Sequence, residues 1–391
     1  MGKSPTQVLV VDDEEDLELL VRQKFRRRTR DGDLKFLFAH NGKEALEVLQ
    51  EHPDVYLVLS DINMPVMDGL TLLSQLADGE KDIQAVIVSA YGDMKNIRTA
   101  MNRGAFDFLT KPIDFNDLEA TIEKGLKHVQ ALQRALETRD RLIAVKQELD
   151  MARDVQMSFQ PEPLIDSEHY DVKAVIIPAR EVGGDLYDFF YIDKSHIALV
   201  IADVSGKGVP AALFTTVTRA LLRAVTSKDY STPGDCLTMV NDLLCENNPS
   251  CIFITLFFGV LDLQTGKFSY SNAGHNLPRV LRTDSRVEVV PKTGNIVLGI
   301  QPDHTYQNNQ LQLAPGDTLF LYTDGITEAE DGKNTEFTES RLDERLAELS
   351  GSSSERVITD VVDAVQEFVG EAVQSDDITC VAARFLAPAL S

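Results

Sequence analysis

The sequence predicts a doubly wound α/β domain, a long helical linker and a second domain of the α+β class. Residues 7–112 alternate short apolar runs with polar helical stretches, residues 113–160 contain no proline and one glycine, and residues 170–385 contain longer apolar runs between blocks of helical pattern. The change in pattern predicts a different fold for each part. The boundaries that we expect are 1–127 for the first domain, 128–163 for the linker and 164–391 for the second domain.

The first domain contains five apolar runs of strand length. They are VLVV at 8–11, LKFLFA at 34–39, VYLVLS at 55–60, AVIVSA at 85–90 and FDFLT at 106–110. Strands that alternate with helices form βαβ units, so we expect a parallel five-stranded sheet with helices on both faces. Functional groups of such sheets gather at the carboxyl ends of the strands. The polar residues at these ends are Asp12, Asp13, Asp61, Ser89 and Lys111.

The linker is expected to be one continuous helix, about 70 Å long at 1.5 Å per residue. Apolar residues recur at seven-residue intervals and then continue in a shifted phase. The two sets are Ile122, Val129, Leu136 and Ile143, and then Leu142, Val145, Leu149 and Ala152. Either the helix forms a parallel dimeric coiled coil, or it is an amphipathic helix packed against its own domain. We favour the dimer, because about 50 residues of helix exceed what one small domain can cover.

The second domain is rich in strand patterns. Its runs include DVKAVIIPA, HIALVIAD, CIFITLFFGVLDL, KFSYSNAG, DTLFLYTDG and ITCVAARF, and helical patterns occupy 209–226, 232–246 and 340–371. Strands that follow strands, with the helices in blocks, predict an antiparallel β-sandwich flanked by helices.

Composition excludes several classes of protein. A formal net charge of -24 disfavours nucleic-acid binding, and the basic cluster RQKFRRRTR at 22–30 is interpreted as the end of a surface helix. The longest apolar run, at 251–261, is about half of a bilayer span, and no signal-peptide pattern opens the chain, so we expect no membrane crossing. Four cysteines without metal-ligand spacing are typical of reduced residues and a cytoplasmic protein.

Four motifs carry the chemistry of the first domain: VVDDEE, SDINMPVMDG, VSAYGD and LTKPID, in this order. A phosphoryl-accepting carboxylate needs a divalent cation, further carboxylates to hold it, and donors for the phosphoryl group. The motifs resemble the receiver domains of two-component response regulators over residues 7–127. The resemblance implies a sensor histidine kinase as partner. Phe108 stands at the position of the family's switching aromatic residue, and it lacks the hydroxyl of a tyrosine. It assigns Asp61 as phosphoacceptor, Asp13, Asp61 and the Asn63 carbonyl as Mg²⁺ ligands, Asp12 as a ligand through water, and Ser89 and Lys111 as phosphoryl-binding residues.

The second domain places acids at strand ends and in glycine turns. The motifs are VGGDLYDFF, IADVSGKG, LYTDGITEAED and QSDDITCVAARF, together with SNAGHNLP. Two divalent ions held by hard oxygen ligands hydrolyse a phosphate ester without a covalent intermediate. The motifs resemble the PPM-type metal-dependent protein serine/threonine phosphatases, closest to the bacterial branch that controls sigma-factor pathways. The resemblance implies two Mn²⁺ or Mg²⁺ ions that Asp203 bridges, with the Val204 carbonyl completing the coordination of one of them. It also implies that Asp324 and Asp376 bind on the side of the first ion and that Asp185 lies beside the centre.

Three further residues of the second domain were weighed for a role in the site. Asp377 fits the family position less well than Asp376 does. His275 is either a general acid or, more commonly after a glycine turn, a hydrogen-bonded structural residue. The phosphate-binding arginine of eukaryotic relatives has no evident counterpart, although Arg180 lies nearby in the sequence.

Two functions compete. The first is a response regulator whose phosphorylation at Asp61 controls a phosphatase acting on a phosphorylated anti-sigma-factor antagonist, with Asp203 and Asp324 as catalytic residues and a homodimer formed through the linker helix. The second is a phosphatase-fold adaptor without catalysis that binds a sigma factor or an anti-sigma pathway protein. The retained acids favour the enzyme, because a pure adaptor has no need for clustered buried charge.

Overall fold

The computed structural model describes residues 5–79, 81–162, 168–229, 231–246 and 248–388. The chain divides into two compact units, Met1–Ala144 and Val145–Ser391. The expected boundary between the linker and the second domain, at 163/164, lies outside the described residues.

The first unit is a five-stranded parallel sheet with helices on both faces. The strand order is β2-β1-β3-β4-β5, which confirms the predicted fold class. Its elements are β1 (Thr6–Val11), α1 (Glu15–Lys24), α2 (Arg26–Arg30), β2 (Leu34–Ala39), α3 (Gly42–Glu51), β3 (Val55–Asp61), α4 (Gly69–Ala77), β4 (Gln84–Ala90), α5 (Met94–Asn102) and β5 (Asp107–Lys111).

Side chains of the sheet alternate between two cores. Leu9 and Val11 of β1 pack with α3 and α4 on one face, whereas Val8 and Val10 pack with α1 on the other. Successive strand residues point to opposite faces, so a strand buried on both sides needs a continuous apolar run. Aspartate or asparagine side chains accept a hydrogen bond from the first turn of α3, α4 and α5 and fix where these helices begin.

The linker helix α6 (Phe115–Ser158) has 44 residues and extends about 66 Å. Its first turns belong to the first unit, where Ile122 and Val129 are buried. These two residues are therefore packed in the monomer and are not part of an exposed seam. Farther along, Leu136, Ile143 and Val145 are exposed. Packing within the first unit thus explains the start of the seven-residue pattern, and a coiled coil beyond Leu136 stays a prediction.

The second unit is a four-layered α/β/β/α sandwich. Its sheets have the orders β13-β10-β9-β8-β7 and β12-β11-β14-β15-β6, and all pairs are antiparallel, as predicted. The elements are β6 (Tyr170–Ile177), β7 (Asp185–Tyr191), β8 (His196–Val204), α7 (Val209–Asp229), α8 (Pro233–Glu246), β9 (Ile254–Asp262), β10 (Lys267–Ala273), β11 (Arg279–Leu281), β12 (Val287–Val289), β13 (Asn309–Gln312), β14 (Thr318–Tyr322), α9 (Asp324–Thr327), α10 (Thr338–Glu348), α11 (Ser354–Val369) and β15 (Ile378–Phe385).

Three apolar layers hold the sandwich together. The middle layer joins the two sheets, and Phe257 of the first sheet and Leu321 of the second belong to it. Helices α7 and α8 cover the outer face of the first sheet, while α10 and α11 cover that of the second. The helical pattern over 340–371 is two helices, because the chain turns at Gly351 and Ser353 then caps α11.

Candidate functional site

The carboxyl edge of the parallel sheet carries a cluster of three acids. Asp12, Asp13 and Asp61 each place one carboxylate oxygen within 4.8 Å of the other two. Asp12 follows β1 and Asp61 ends β3, and these strands are neighbours in the sheet. Asn63 lies two residues beyond Asp61 in the loop that follows β3. Oxygen ligands at this spacing are suited to a small hard cation such as Mg²⁺.

Two further residues complete this edge of the sheet. Lys111 Nζ lies 3.2 Å from Asp12 Oδ2 and 3.3 Å from Asp61 Oδ1. The Ser89 Oγ is fully buried and has no hydrogen-bond partner in the part of the chain that the structure describes. A buried hydroxyl normally has a partner, so this one is poised for an additional acceptor such as a phosphoryl oxygen. Burial raises the pKa of Asp61, Lys111 lowers it, and the charge of Asp12 raises it.

The loop after Asp61 returns closely to the strand. Gly69 donates its N–H to the carbonyl oxygen of Ile62 at 2.9 Å. A Cβ at Gly69 would lie only 2.1 Å from the carbonyl oxygen of Asp61, so any side chain here would displace the backbone of Asp61. Phe108 on β5, at the proposed switching position, is 37% exposed.

The second unit brings together acids from four chain segments. Asp185 begins β7 and pairs directly with Asp203 of β8. Asp324 begins α9, and a Cβ at the following Gly325 would lie 2.0 Å from the carbonyl oxygen of Asp377, just before β15. Helix α9 therefore starts against the segment that also carries Asp376. The pairing of β7 with β8 and this close approach place the acids at one end of the sandwich.

The charges of these acids are largely uncompensated. Burial, together with the charges of Asp324 and Asp376, raises the pKa of Asp203 to about 7. Burial also raises the pKa of Asp185, together with the charge of Asp203. Lys207 Nζ is a cation at this cluster, 2.8 Å from Asp376 Oδ2. Clustered carboxylates that oppose one another's ionisation fit a site for divalent cations.

The spacing of this second cluster differs from that of the first. Within the described ranges, no three of its acids bring oxygen atoms within 4.8 Å of one another, as those of the first unit do. A pair of ions is held about 3.5–4 Å apart in two-metal hydrolases, which requires a wider ligand set than one ion does. Val204 follows Asp203, and its carbonyl oxygen lies 3.5 Å from the point that a Gly184 Cβ would occupy.

The neighbouring acids Asp376 and Asp377 have different environments. The side chain of Asp376 is 44% exposed and its charge acts on Asp203 and Asp324. Asp377 is buried, and its carboxylate accepts hydrogen bonds from the backbone N–H groups of Ala179 at 2.7 Å and Gly184 at 2.6 Å. Asp377 thus fixes the backbone on both sides of the glycine turn.

Two threonine hydroxyl groups hold the side chain of Asp185 by hydrogen bonds. Thr379 Oγ1 and Thr323 Oγ1 donate to Asp185 Oδ2 at 2.5 and 2.8 Å. These threonines were not predicted from the sequence, although Thr323 precedes Asp324 in YTDG and Thr379 stands two residues after Asp377 in DDIT. Glu328 was not predicted either, and burial and the charge of Asp324 raise its pKa.

His275 is a buried structural residue. Its Nε2 donates to the carbonyl oxygen of Tyr322 at 3.2 Å, and its Nδ1 then accepts from Thr255 Oγ1 at 2.9 Å. Burial lowers the pKa of His275 to about 4, so the ring is neutral at physiological pH. The structural interpretation is therefore favoured over a general acid. Arg180 is exposed.

The fold defines a protein of two domains, in which a parallel α/β domain of the receiver type precedes an antiparallel sandwich of the PPM phosphatase type. Residues 8–123 match the response regulator receiver domain family, and residues 193–386 match the family of stage II sporulation protein E, SpoIIE. The chain is a response regulator with an N-terminal receiver domain and a C-terminal PPM-type serine/threonine phosphatase domain of the SpoIIE type.

Individual proteins are similar to large parts of this chain. Protein IcfG of Synechocystis sp. is 34% identical over 266 residues, which are 60% of this chain and 41% of the relative. Phosphoserine phosphatase RsbU of Bacillus subtilis is 27% identical over 270 residues, 69% of this chain and 79% of the relative. The SiaA-PP2C domain of Pseudomonas aeruginosa shares the fold, with a TM-score of 0.56 and 22% identity over 63% of this chain and 98% of that domain. The chain thus spans less than half of the first relative.

Among the helices that the structure describes, none combines the length and the apolar character needed to cross a bilayer.

Proposed function

We propose that phosphorylation of Asp61 controls a metal-dependent protein serine/threonine phosphatase in the second unit. The observation that carries the proposal is the convergence of Asp185, Asp203, Asp324 and Asp376, with little opposing positive charge, in a domain of the PPM fold. Uncompensated buried charge is costly, and bound cations repay that cost.

In the receiver, Asp61 accepts the phosphoryl group, with a sensor histidine kinase as the donor. Asp13, Asp61 and the carbonyl of Asn63 would hold Mg²⁺, with Asp12 acting through water. Ser89 Oγ and Lys111 Nζ bind the phosphoryl oxygens, and the unpartnered buried hydroxyl and the position of the ammonium group between two carboxylates support these roles.

In the phosphatase, Asp203 would bridge two Mn²⁺ or Mg²⁺ ions and the Val204 carbonyl would complete one shell. Asp324 and Asp376 would bind on the side of the first ion, and Asp185, oriented by two threonine hydroxyls, would lie beside the centre. Bound ions of this kind supply hydroxide at neutral pH and clamp phosphoryl oxygens. Asp203 and Asp324 are the residues on which catalysis should depend most.

The proposed substrate is a phosphoserine or phosphothreonine protein, and specifically a phosphorylated anti-sigma-factor antagonist. RsbU, with which this chain shares 27% identity, is a phosphoserine phosphatase. The exposed apolar residues of α6 beyond Leu136 support a homodimer formed through the linker. The four free cysteines suit the cytoplasm.

The test is hydrolysis of a generic phosphate ester and of phosphorylated antagonist proteins with Mn²⁺. We expect wild-type protein to be active and Asp324→Asn to lose activity. Asp363→Asn removes an exposed acid of α11 and is the matched control, expected to behave as wild type. Wild-type protein that is inert with every divalent ion would contradict the proposal and favour the adaptor.

Control by the receiver is tested separately. Beryllofluoride mimics a phosphoryl group on Asp61, and hydrolysis is compared with and without it, using Asp61→Asn as the unmodifiable control. Phosphorylation is expected to shift the two states of the linker helix and so change the rate. Equal rates in the wild type would contradict the coupling while leaving the catalytic assignment intact.

A further inference from the structure

The last turn of α6 contacts the turn that precedes Asp185. Gln156 Nε2 donates to the carbonyl oxygen of Gly183 at 2.8 Å, and the N–H of Gly183 donates to Gln156 Oε1 at 3.1 Å. One side-chain amide thus pairs with both backbone groups of one residue. Just beyond the helix, Gln160 Oε1 accepts from the hydroxyl of Tyr187 on β7 at 3.1 Å. All of these residues belong to the second unit.

Gly183 is also held closely on the side that faces away from Gln156. A Cβ at Gly183 would lie 2.9 Å from Asp377 Oδ2, and the N–H of the next residue, Gly184, donates to that oxygen at 2.6 Å. The N–H of Asp185 is 3.4 Å from it. The turn 183–185 is therefore clamped between Gln156 on one side and Asp377 on the other.

This clamp determines where the carboxylate of Asp185 can lie. Its Oδ2 is fixed by two threonine hydroxyls, and its backbone is fixed by the turn, so side chain and main chain are anchored independently. Removal of one backbone anchor allows the turn to move by the few tenths of an ångström that metal coordination does not tolerate. Hydrogen bonds around metal-site residues are known to control affinity for the ion.

We propose that Gln156 is a positioning residue for Asp185, and that the end of the linker helix is thereby a structural part of the phosphatase metal centre. This inference rests on the proposed function, and it specifies the point at which the linker acts. The helix is continuous from Phe115 and contributes Leu118 and Ile122 to the receiver core. A shift of the helix by one residue rotates each side chain by about 100° and moves it about 1.5 Å, which breaks both bonds of Gln156.

The experiment uses the full chain with Gln156→Met, which preserves the length and the apolar stem of the side chain and removes both hydrogen bonds. Gln147→Met alters an exposed glutamine of the same helix and is the matched control. Mn²⁺ affinity is measured by electron paramagnetic resonance, backbone hydrogen exchange over 179–187 by mass spectrometry, and hydrolysis with and without beryllofluoride. For Gln156→Met we expect Mn²⁺ affinity to fall about tenfold or more, faster exchange over 179–187 and a lost response to beryllofluoride. Gln147→Met should match the wild type.

The outcomes separate this inference from the function on which it rests. Wild-type Mn²⁺ affinity and an unchanged response to beryllofluoride in Gln156→Met would overturn the inference while the phosphatase assignment stands. A wild-type chain that binds no Mn²⁺ would overturn both. If Gln156→Met does not fold, Tyr187→Phe removes only the contact with Gln160, and a two- to threefold loss of Mn²⁺ affinity is expected. Unchanged affinity in Tyr187→Phe would count against the inference.

Discussion

Replacement of Asp203 by asparagine should make the metal-free protein more stable while abolishing its activity. Asp203 is largely buried, and it faces the charges of Asp324 and Asp376. Asparagine has nearly the same shape and can still hydrogen-bond with Asp185, but it carries no charge. Relief of the repulsion should therefore stabilise the fold when no cation is present.

The size of the effect follows from the pKa of Asp203. A rise from 3.8 to about 7 corresponds to about 4 kcal/mol at pH 7 and above. Solvent screening lowers this free energy, so we expect Asp203→Asn to stabilise the protein by about 2–4 kcal/mol, or to raise Tm by roughly 5–15 °C for a domain of this size.

The sign of the pH dependence of stability follows from proton uptake. Between pH 4 and 7 the folded state retains a proton that the unfolded state loses, so wild-type stability falls as the pH rises, and the variant should show a flatter profile.

The assay is thermal unfolding at pH 5.5 and 7.5, in EDTA and in Mn²⁺. Wild-type protein should gain about 2.7 kcal/mol at a Mn²⁺ concentration of 100 times Kd, and the variant should gain little. Asp188→Asn is a control on the neighbouring strand β7, because Asp188 is buried but paired with Arg219 and Arg223. Its loss removes the carboxylate that pairs with two partly exposed arginines and should destabilise the protein by about 1–3 kcal/mol.

The reasoning would be refuted if Asp203→Asn destabilised the metal-free protein as Asp188→Asn does. That result would mean that the acids are already compensated within the chain, and that no cation is needed to hold them together.

Three further predictions concern single residues. Ser89→Ala should change the stability of the receiver by no more than about 1 kcal/mol, because the hydroxyl has no partner among the described residues. The same variant should be phosphorylated more slowly at Asp61 by acetyl phosphate, and an unchanged rate would exclude Ser89 from phosphoryl binding. Gly69→Ala should destabilise the receiver by about 3 kcal/mol or more in urea, because its Cβ would lie 2.1 Å from the carbonyl oxygen of Asp61; a stable variant would place this loop elsewhere. His275, whose pKa is about 4, should show no imidazole titration by NMR between pH 5.5 and 8, and a midpoint near 6.5 would restore the general-acid interpretation.

Apolar periodicity predicted the strands that are buried on both faces, but it missed β7. The run DLYDFFY is interrupted by Asp188, which reads as a surface residue. In the structure Asp188 is buried because Arg219 and Arg223 of α7 neutralise it from more than 30 residues away. A compensating charge at that distance leaves no mark on the local pattern, so only the assembled domain shows why this strand is inside.

The acids of both sites were predicted from motifs, whereas the residues that orient them were not. Asp377 stands next to Asp376 in the sequence, yet it serves a different purpose, because its partners are the N–H groups of Ala179 and Gly184. Gln156 likewise acts through a backbone group 27 residues away. Residue identity and spacing predict the acids of a site, but the residues that orient those acids depend on which distant loops the fold brings together.

The position of β15 has a consequence for synthesis of the chain. This strand is the hydrogen-bonded neighbour of β6 in its sheet, although β6 is made about 200 residues earlier. At ribosomal rates that interval lasts roughly 10 to 40 s, during which the apolar face of β6 lacks its partner strand. The receiver, whose five strands are complete by Lys111, can fold long before this. A nascent chain would thus carry a folded first domain while its second domain is still incomplete. A chaperone that shields β6 should therefore raise the yield of the folded second domain more than that of the first.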